Sequence, residues 1–97
     1  MKYYVYFLQS LKNNKYYIGV TDNVKRRLYE HNQGLSKYTR SLRPLELKRV
    51  ERFKSINEAY AREKFIKNKK SRKIIELIIK SSPDVLAEQE VGIPISR

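Results

Sequence analysis

Lys2-Tyr3-Tyr4-Val5-Tyr6-Phe7-Leu8-Gln9 and, a short turn later, Tyr16-Tyr17-Ile18-Gly19-Val20 decide the fold. Both runs are rich in aromatic and β-branched side chains, which suit a pleated, buried surface. In the first run Tyr4, Tyr6 and Leu8 share one face and Tyr3, Val5 and Phe7 the other, because strand side chains alternate. Neither face is polar, so this strand is expected to be buried on both sides. Leu11-Lys12-Asn13-Asn14-Lys15 is a polar turn too short for a crossover, and the two runs read as an antiparallel hairpin.

Working outward, Thr21-Asp22-Asn23 offers capping oxygens for a helix from about Val24 to Asn32. Gly34 stands just past its end, where a left-handed residue is expected. A basic loop, Gln33 to Arg43, leads to Pro44 and a third strand, Leu45 to Phe53. Its apolar positions Leu45, Leu47, Val50 and Phe53 break a strict period of two, which predicts a bulge near Lys48-Arg49. Ser55-Ile56-Asn57-Glu58 has capping-box spacing, so a second helix is expected from Ile56 to about Asn68, with Ile56, Ala59, Tyr60 and Ile66 inward. Ser71 caps a last helix, Arg72 to Lys80, whose Ile74, Ile75, Leu77, Ile78 and Ile79 are expected to supply core. The order β-β-α-β-α-α, without a βαβ repeat, predicts an α+β fold: a small three-stranded antiparallel sheet flanked by helices.

A chain of 97 residues holds one domain with one modest core. The absence of cysteine excludes a disulfide framework and thiolate metal sites, and a single histidine excludes a zinc site built from several. No apolar run approaches the length of a membrane span, and Met1-Lys2-Tyr3-Tyr4 lacks the marks of a signal peptide. A cytoplasmic, non-membrane protein is expected. Lys and Arg number 22 against 10 Asp and Glu, a net charge of +12. Solubility calls for a magnitude of only about 2–8, so the expected partner is a polyanion, nucleic acid ahead of an anionic membrane. Residues 83–97 are instead net acidic and contain Pro83, Gly92 and Pro94. The folded domain is therefore expected to span 1–82, with 83–97 an acidic, loosely attached C-terminal tail.

Ionisable residues inside apolar stripes need a reason, because burying charge costs free energy. Arg27 and His31 fall on the face of the first helix marked by Val24 and Leu28, and they are neighbours four apart. Arg27 either snorkels over the core or meets an anion there, and His31 is either a satisfied boundary histidine or a site residue. In the second helix Glu63 lies within about 20° of Ile56. It is either half of a salt bridge to the sheet edge or a ligand for a hard metal ion. Tyr6 and Tyr17, on neighbouring strands, are either core aromatics or a pair facing one site.

Taken together, these residues resemble the GIY-YIG nuclease family, named for two tripeptides on adjacent strands. Tyr4-Val5-Tyr6 stands at the first and Tyr17-Ile18-Gly19 at the second. The helix Val24 to Asn32 carries Arg27 and then His31, as the family helix carries Arg and His, and Ala61-Arg62-Glu63-Lys64 matches the site of the family's metal-binding Glu. The resemblance covers roughly residues 2–80 and is nearest to small stand-alone bacterial members. Tyr4 replaces the first Gly of the name, Val20-Thr21 stands where some members have a Lys, and only Asn68 is placed near a late family Asn.

The resemblance implies a metal-dependent endonuclease that hydrolyses phosphodiester bonds in DNA, with a role in repair or recombination. Glu63 would hold one Mg²⁺ or Mn²⁺, and Arg27 would contact the scissile phosphate. Tyr6 or Tyr17 would serve as general base or orient the attacking water; as a base, its phenol would be acidified by Arg27, the metal or His31. Arg26, pointing outward, would add only affinity. The loop residues Lys37, Arg40 and Arg43 and the run with Lys67, Lys69 and Lys70 are expected to contact phosphates. RNA is a second nucleic-acid candidate, and a protein partner is compatible with the missing DNA-binding domain. The alternative is a non-catalytic nucleic-acid-binding module that keeps the fold.

Overall fold

Five consecutive buried residues, Tyr4 to Leu8, make β1 (Tyr3–Ser10) the centre of the structure. The structure is a computed structural model that describes residues 2–81, 85–93 and 95. β2 (Tyr16–Thr21) and β3 (Leu45–Phe53) flank β1 in the antiparallel order β2-β1-β3. A strand with a neighbour on each side and layers on both faces can only be apolar throughout, as the sequence of β1 is. The hairpin register pairs Tyr6 with Gly19 and Leu8 with Tyr17. On the other side Phe7 pairs with Arg49 and Leu8 with Leu47, so Lys48 is the extra residue of the expected bulge.

The two faces of β1 build two cores. Tyr4, Tyr6 and Leu8 pack with Leu45, Leu47 and Val50, and with Val24 of α1 (Val24–Asn32). Val5, Phe7 and Ile18 pack with Ala59 and Ile66 of α2 (Ile56–Lys69), and Ile75, Ile78 and Ile79 of α3 (Arg72–Lys80) close that side. The caps are those the sequence offers. Asn23, Ser55 and Ser71 accept from the backbone N–H three residues on, at 3.0, 3.2 and 3.2 Å. Gly34 takes φ +80° after α1, and the bonds Gly34 N–H to His31 O and Leu35 N–H to Glu30 O close that helix. A 3₁₀ turn at Arg40–Leu42 ends the basic loop.

The structure corrects three expectations. In α2 only Ala59 and Ile66 are buried, while Ile56 and Tyr60 are exposed. The inward stripe therefore runs through Ala59, Arg62, Glu63 and Ile66, and Arg62 reaches Glu51 of β3 with bonds of 2.7 and 3.1 Å. In α3 Leu77 is exposed, because a nine-residue helix lying on a sheet buries one stripe only. The third concerns the tail. Residues 85–91 form α4 (Val85–Val91), and Ala87, Val91 and Ile95 are buried in the core beneath Tyr4 and Leu8. Ala87 and Val91 are four apart, a helical spacing that the surrounding Pro, Gly and acidic residues conceal. Glu90 accepts from Lys2 (2.8 Å), Tyr4 (2.7 Å) and Arg52 (2.6 Å), and these bonds, led by Lys2 and Tyr4, hold its carboxyl down at about 2. The described part of the tail is thus packed and tied to the sheet. The expected boundary at Ser82-Pro83 lies outside the described residues.

Candidate active site

The site begins with a close approach between strands. Tyr6 stands opposite Gly19, and a Cβ built at Gly19 would sit 2.6 Å from Cζ of Tyr6. Only glycine lets the phenol lie flat across β2 at this point. The ring is thereby aimed at α1, where the Tyr6 hydroxyl meets His31 Nε2 at 2.9 Å. His31 is fully buried, and its Nδ1 meets Thr39 Oγ1 at 2.6 Å. Thr39 is itself fully buried in the loop before the 3₁₀ turn. Tyr17 sets its ring edge-on to His31 with centroids 5.1 Å apart, and lies 6.2 Å from Tyr6. Arg27, one turn before His31 on α1, bonds Glu30 at 3.2 Å and also bears on the Tyr6 hydroxyl. Its side chain is 31% exposed, against 53% for Arg26, which turns away to Asp22 at 2.9 Å.

Burial sets the protonation states. It pushes the Tyr6 phenol well above its ordinary value, with Tyr17 adding to the rise and Arg27 only partly offsetting it. Burial, aided by the Arg27 charge, brings His31 down to about 4 against the weaker pull of Glu30. Burial also opposes the Arg27 charge, but hydrogen bonds to Tyr6 and Glu30 outweigh it and hold the guanidinium above its ordinary value. At neutral pH the site therefore holds a neutral phenol, a neutral imidazole and a cation. This corrects the expectation that Arg27 or His31 acidifies Tyr6: His31 carries no charge to do so, and Arg27 loses to burial. In a neutral imidazole one ring nitrogen donates and the other accepts. Either Tyr6 donates to Nε2 while Nδ1–H donates to Thr39, or both directions reverse.

The structure thus brings Tyr6, Tyr17, Arg27 and His31 together on one face of the sheet. Glu63 comes from α2 on the other. Its carboxylate is 22% exposed and accepts from Lys67 Nζ at 3.4 Å, and Lys67 in turn lies 5.6 Å from the centre of the Tyr17 ring. Its ion-pair partner is on its own helix, four residues on, and not at the sheet edge. Among the described residues no three His, Asp or Glu side chains gather to cage a metal ion. A single accessible carboxylate does fit a hydrated Mg²⁺ or Mn²⁺, which keeps most of its waters and takes further oxygens from a bound phosphate.

Of the expected phosphate contacts, Lys37, Arg40 and Arg43 surround one concavity with Lys12. Arg40 and Arg43 are braced by bonds of 2.9 Å from Nε to the carbonyls of Gly34 and Arg40. Lys67 and Lys70 line a groove along β2, whereas Lys69 turns aside onto Phe65, 4.6 Å from its ring centre. Sequence reasoning missed Thr39, which no local pattern marks, and the role of Gly19, visible only once the strand register is known.

With this geometry in view, residues 2–75 match the GIY-YIG catalytic domain, and the chain belongs to that family. Its relatives are the UPF0213 proteins, small stand-alone members. It is 40% identical over 78 residues to the UPF0213 protein of Staphylococcus haemolyticus, covering 79% of this chain and 94% of that one. It is 36% identical to the Clostridium perfringens protein over 92 residues, covering 93% and 98%. The solution NMR structure of the UPF0213 protein of Bacillus halodurans, 32% identical, superposes with a TM-score of 0.53 over 99% of this chain and 100% of that one. The family is nuclease-type and acts on nucleic acids. No described helix is long and apolar enough to cross a membrane.

Proposed function

We propose that this chain is a metal-dependent endonuclease that hydrolyses phosphodiester bonds in DNA. The observation that carries the reading is the Arg27–Tyr6–His31 constellation: a permanent, part-exposed cation next to a phenol that is bonded to a neutral imidazole. Arg27 offers its planar fork to the non-bridging oxygens of the phosphate and is stronger there as negative charge grows in the transition state. Tyr6 is too basic a phenol to be ionised beforehand, so it acts as a relay. Its proton passes to Nε2 of His31 as its oxygen takes a proton from the attacking water. The water oxygen bonds to phosphorus, the bond to the leaving oxygen breaks, and that oxygen takes a proton from solvent, while the imidazolium, disfavoured by its burial, gives its proton back to solvent through Tyr6 and is neutral again. Thr39 steadies the imidazole by accepting from Nδ1–H, and Tyr17 holds the ring edge. Glu63 is the residue that would hold a divalent ion, which supplies charge neutralisation at the phosphate when bound. Lys37, Arg40, Arg43, Lys67 and Lys70 favour a polyanion around this point.

The non-catalytic binding module has one observation in its favour, the Glu63–Lys67 ion pair, which satisfies the carboxylate without a metal. Incubation with supercoiled and branched DNA, with Mn²⁺ or with chelator, separates the two. Nicking that requires Mn²⁺ supports the nuclease, and intact DNA with salt-sensitive binding supports the module.

A further inference from the structure

A groove of about 400 Å³ runs along the outer edge of β2, between that strand and the α2–α3 junction. Its volume is within the roughly 300–1,000 Å³ typical of small-ligand sites. The floor is apolar, made by Ile18, Ile66 and Ile75. Its rim carries four cations, Lys15, Lys67, Lys70 and Arg72, and no acidic residue lines it. The two aromatic residues of the wall each have a cation over the ring: Arg72 lies 4.7 Å from the centre of Tyr16, and Lys67 lies 5.6 Å from that of Tyr17. Arg72 is fixed in place by a 2.6 Å bond to the carbonyl of Asn14. An apolar slot rimmed by cations, one of them fixed, fits a ligand that is flat and apolar at one end and anionic at the other.

We propose that this groove binds one unpaired nucleotide of a single-stranded nucleic-acid segment. Its base enters over the isoleucine floor and stacks on the Arg72 guanidinium plane, and its flanking phosphates meet Lys15, Lys67 and Lys70. A paired base cannot enter, because its edge and both faces are already occupied in the duplex. Tyr17 is shared between the groove wall and the aromatic cluster around His31, so the nucleotide is held next to the bond to be cut. The inference rests on the nuclease reading for that last placement only. It makes the preferred substrate a strand with an unpaired base beside the cleavage point, as at a branch or flap, and not a continuous duplex.

The test is binding in chelator, where cleavage plays no part. The probe is a single-stranded oligonucleotide of about 12 nucleotides carrying one 2-aminopurine, compared with the same sequence as a duplex. The full-length protein is expected to quench the single strand's fluorescence by stacking and to bind it more tightly than the duplex. Lys15→Ala/Arg72→Ala, at two exposed positions, should weaken single-strand binding at least about fivefold and remove the quench, with duplex affinity changing less than about twofold. Lys54→Ala/Lys80→Ala removes the same charge outside the groove and should leave the quench intact. Should the first double variant fail to fold, Lys15→Ala alone should weaken single-strand binding in the same sense. Absence of a quench with the wild type, or equal losses on single strand and duplex, overturns the proposal. A quench from a protein that never nicks DNA refutes the nuclease reading and leaves the groove standing. Nicking of duplex without any quench does the reverse.

Discussion

Lowering the pH from 7 to 4.5 should destabilise this protein through one residue. His31 is the only histidine, is fully buried, and titrates at about 4 in the folded chain against an ordinary value of 6.5. Between those values the unfolded chain binds a proton that the folded chain refuses, so the stability present above pH 6.5 is lost as the pH falls toward 4. The shift corresponds to a loss of about 2 kcal/mol by pH 4.5. For a domain of this size that is a fall in Tm of roughly 10 °C. The part-buried Glu51, whose desolvation is outweighed by Arg62 and Arg49, and Glu90 contribute in the same sense, but chiefly below the ordinary carboxylate range near 4.5. In the window from 6.5 to 4.5 the imidazole therefore dominates. Urea unfolding at pH 7, 5.5 and 4.5 on the wild type and on His31→Gln measures it. The variant should be less stable at neutral pH, having lost the fitted Tyr6–His31–Thr39 chain, but its stability should be nearly flat across the window. A wild type as flat as the variant, or a variant as steep as the wild type, would refute the assignment of a buried, neutral His31.

Other consequences follow from the same geometry. Arg27→Ala should lower DNA nicking at least about 100-fold, whereas Arg26→Ala, whose partners are Asp22 and Glu30, should cost affinity alone. Equal losses of turnover would place the phosphate on the other helix face. Gly19→Ala drives a methyl into the Tyr6 phenol, so about 1–3 kcal/mol of stability should go, and nicking should fall with the broken Tyr6–His31 bond. A variant with native stability and rate would show that β2 yields at this point. Truncation after Ser81 removes Val91 and Ile95 from the core together with the Glu90 anchor, and should cost about 3 kcal/mol in a thermal melt. An unchanged melt would return α4 to the status of a loose tail.

Much of the fold was legible because the local signals agreed with the global arrangement. β1 is apolar on both faces and is central, the three caps start their helices, and the broken period in β3 is the bulge at Lys48. The helix faces were read less well. α2 has Ile56 and Tyr60 at its solvent side and Arg62 inward, because Glu51 of β3 waits there to pair with it. That preference comes from a residue distant in sequence, which helical periodicity cannot see. α4 was hidden for a different reason: Ala87 and Val91, four apart, fall in a helix of seven residues among acidic residues, too short a run to register. At the site, Arg27 and His31 were marked by polar residues on an apolar stripe, and the structure places both against Tyr6. Their protonation states were not legible, since these depend on burial. Nor was Thr39, because a threonine in a loop carries no mark until its histidine is placed beside it.

Glu63 tests the central claim most directly. Its structural partner, Lys67, is half-exposed and four residues away on the same helix, an ion pair worth only about 0.3–0.5 kcal/mol. Glu63→Gln should therefore fold with nearly wild-type stability in the absence of metal. If the carboxylate holds the divalent ion, nicking falls to background in the variant. DNA binding persists or strengthens, and Mn²⁺ raises the melting temperature of the wild type alone. The measurement is a melting curve with and without Mn²⁺, paired with a nicking assay, on wild type and Glu63→Gln. A variant that loses about 3 kcal/mol, beside a wild type that neither responds to Mn²⁺ nor nicks DNA, would contradict the account and leave a nucleic-acid-binding module in its place.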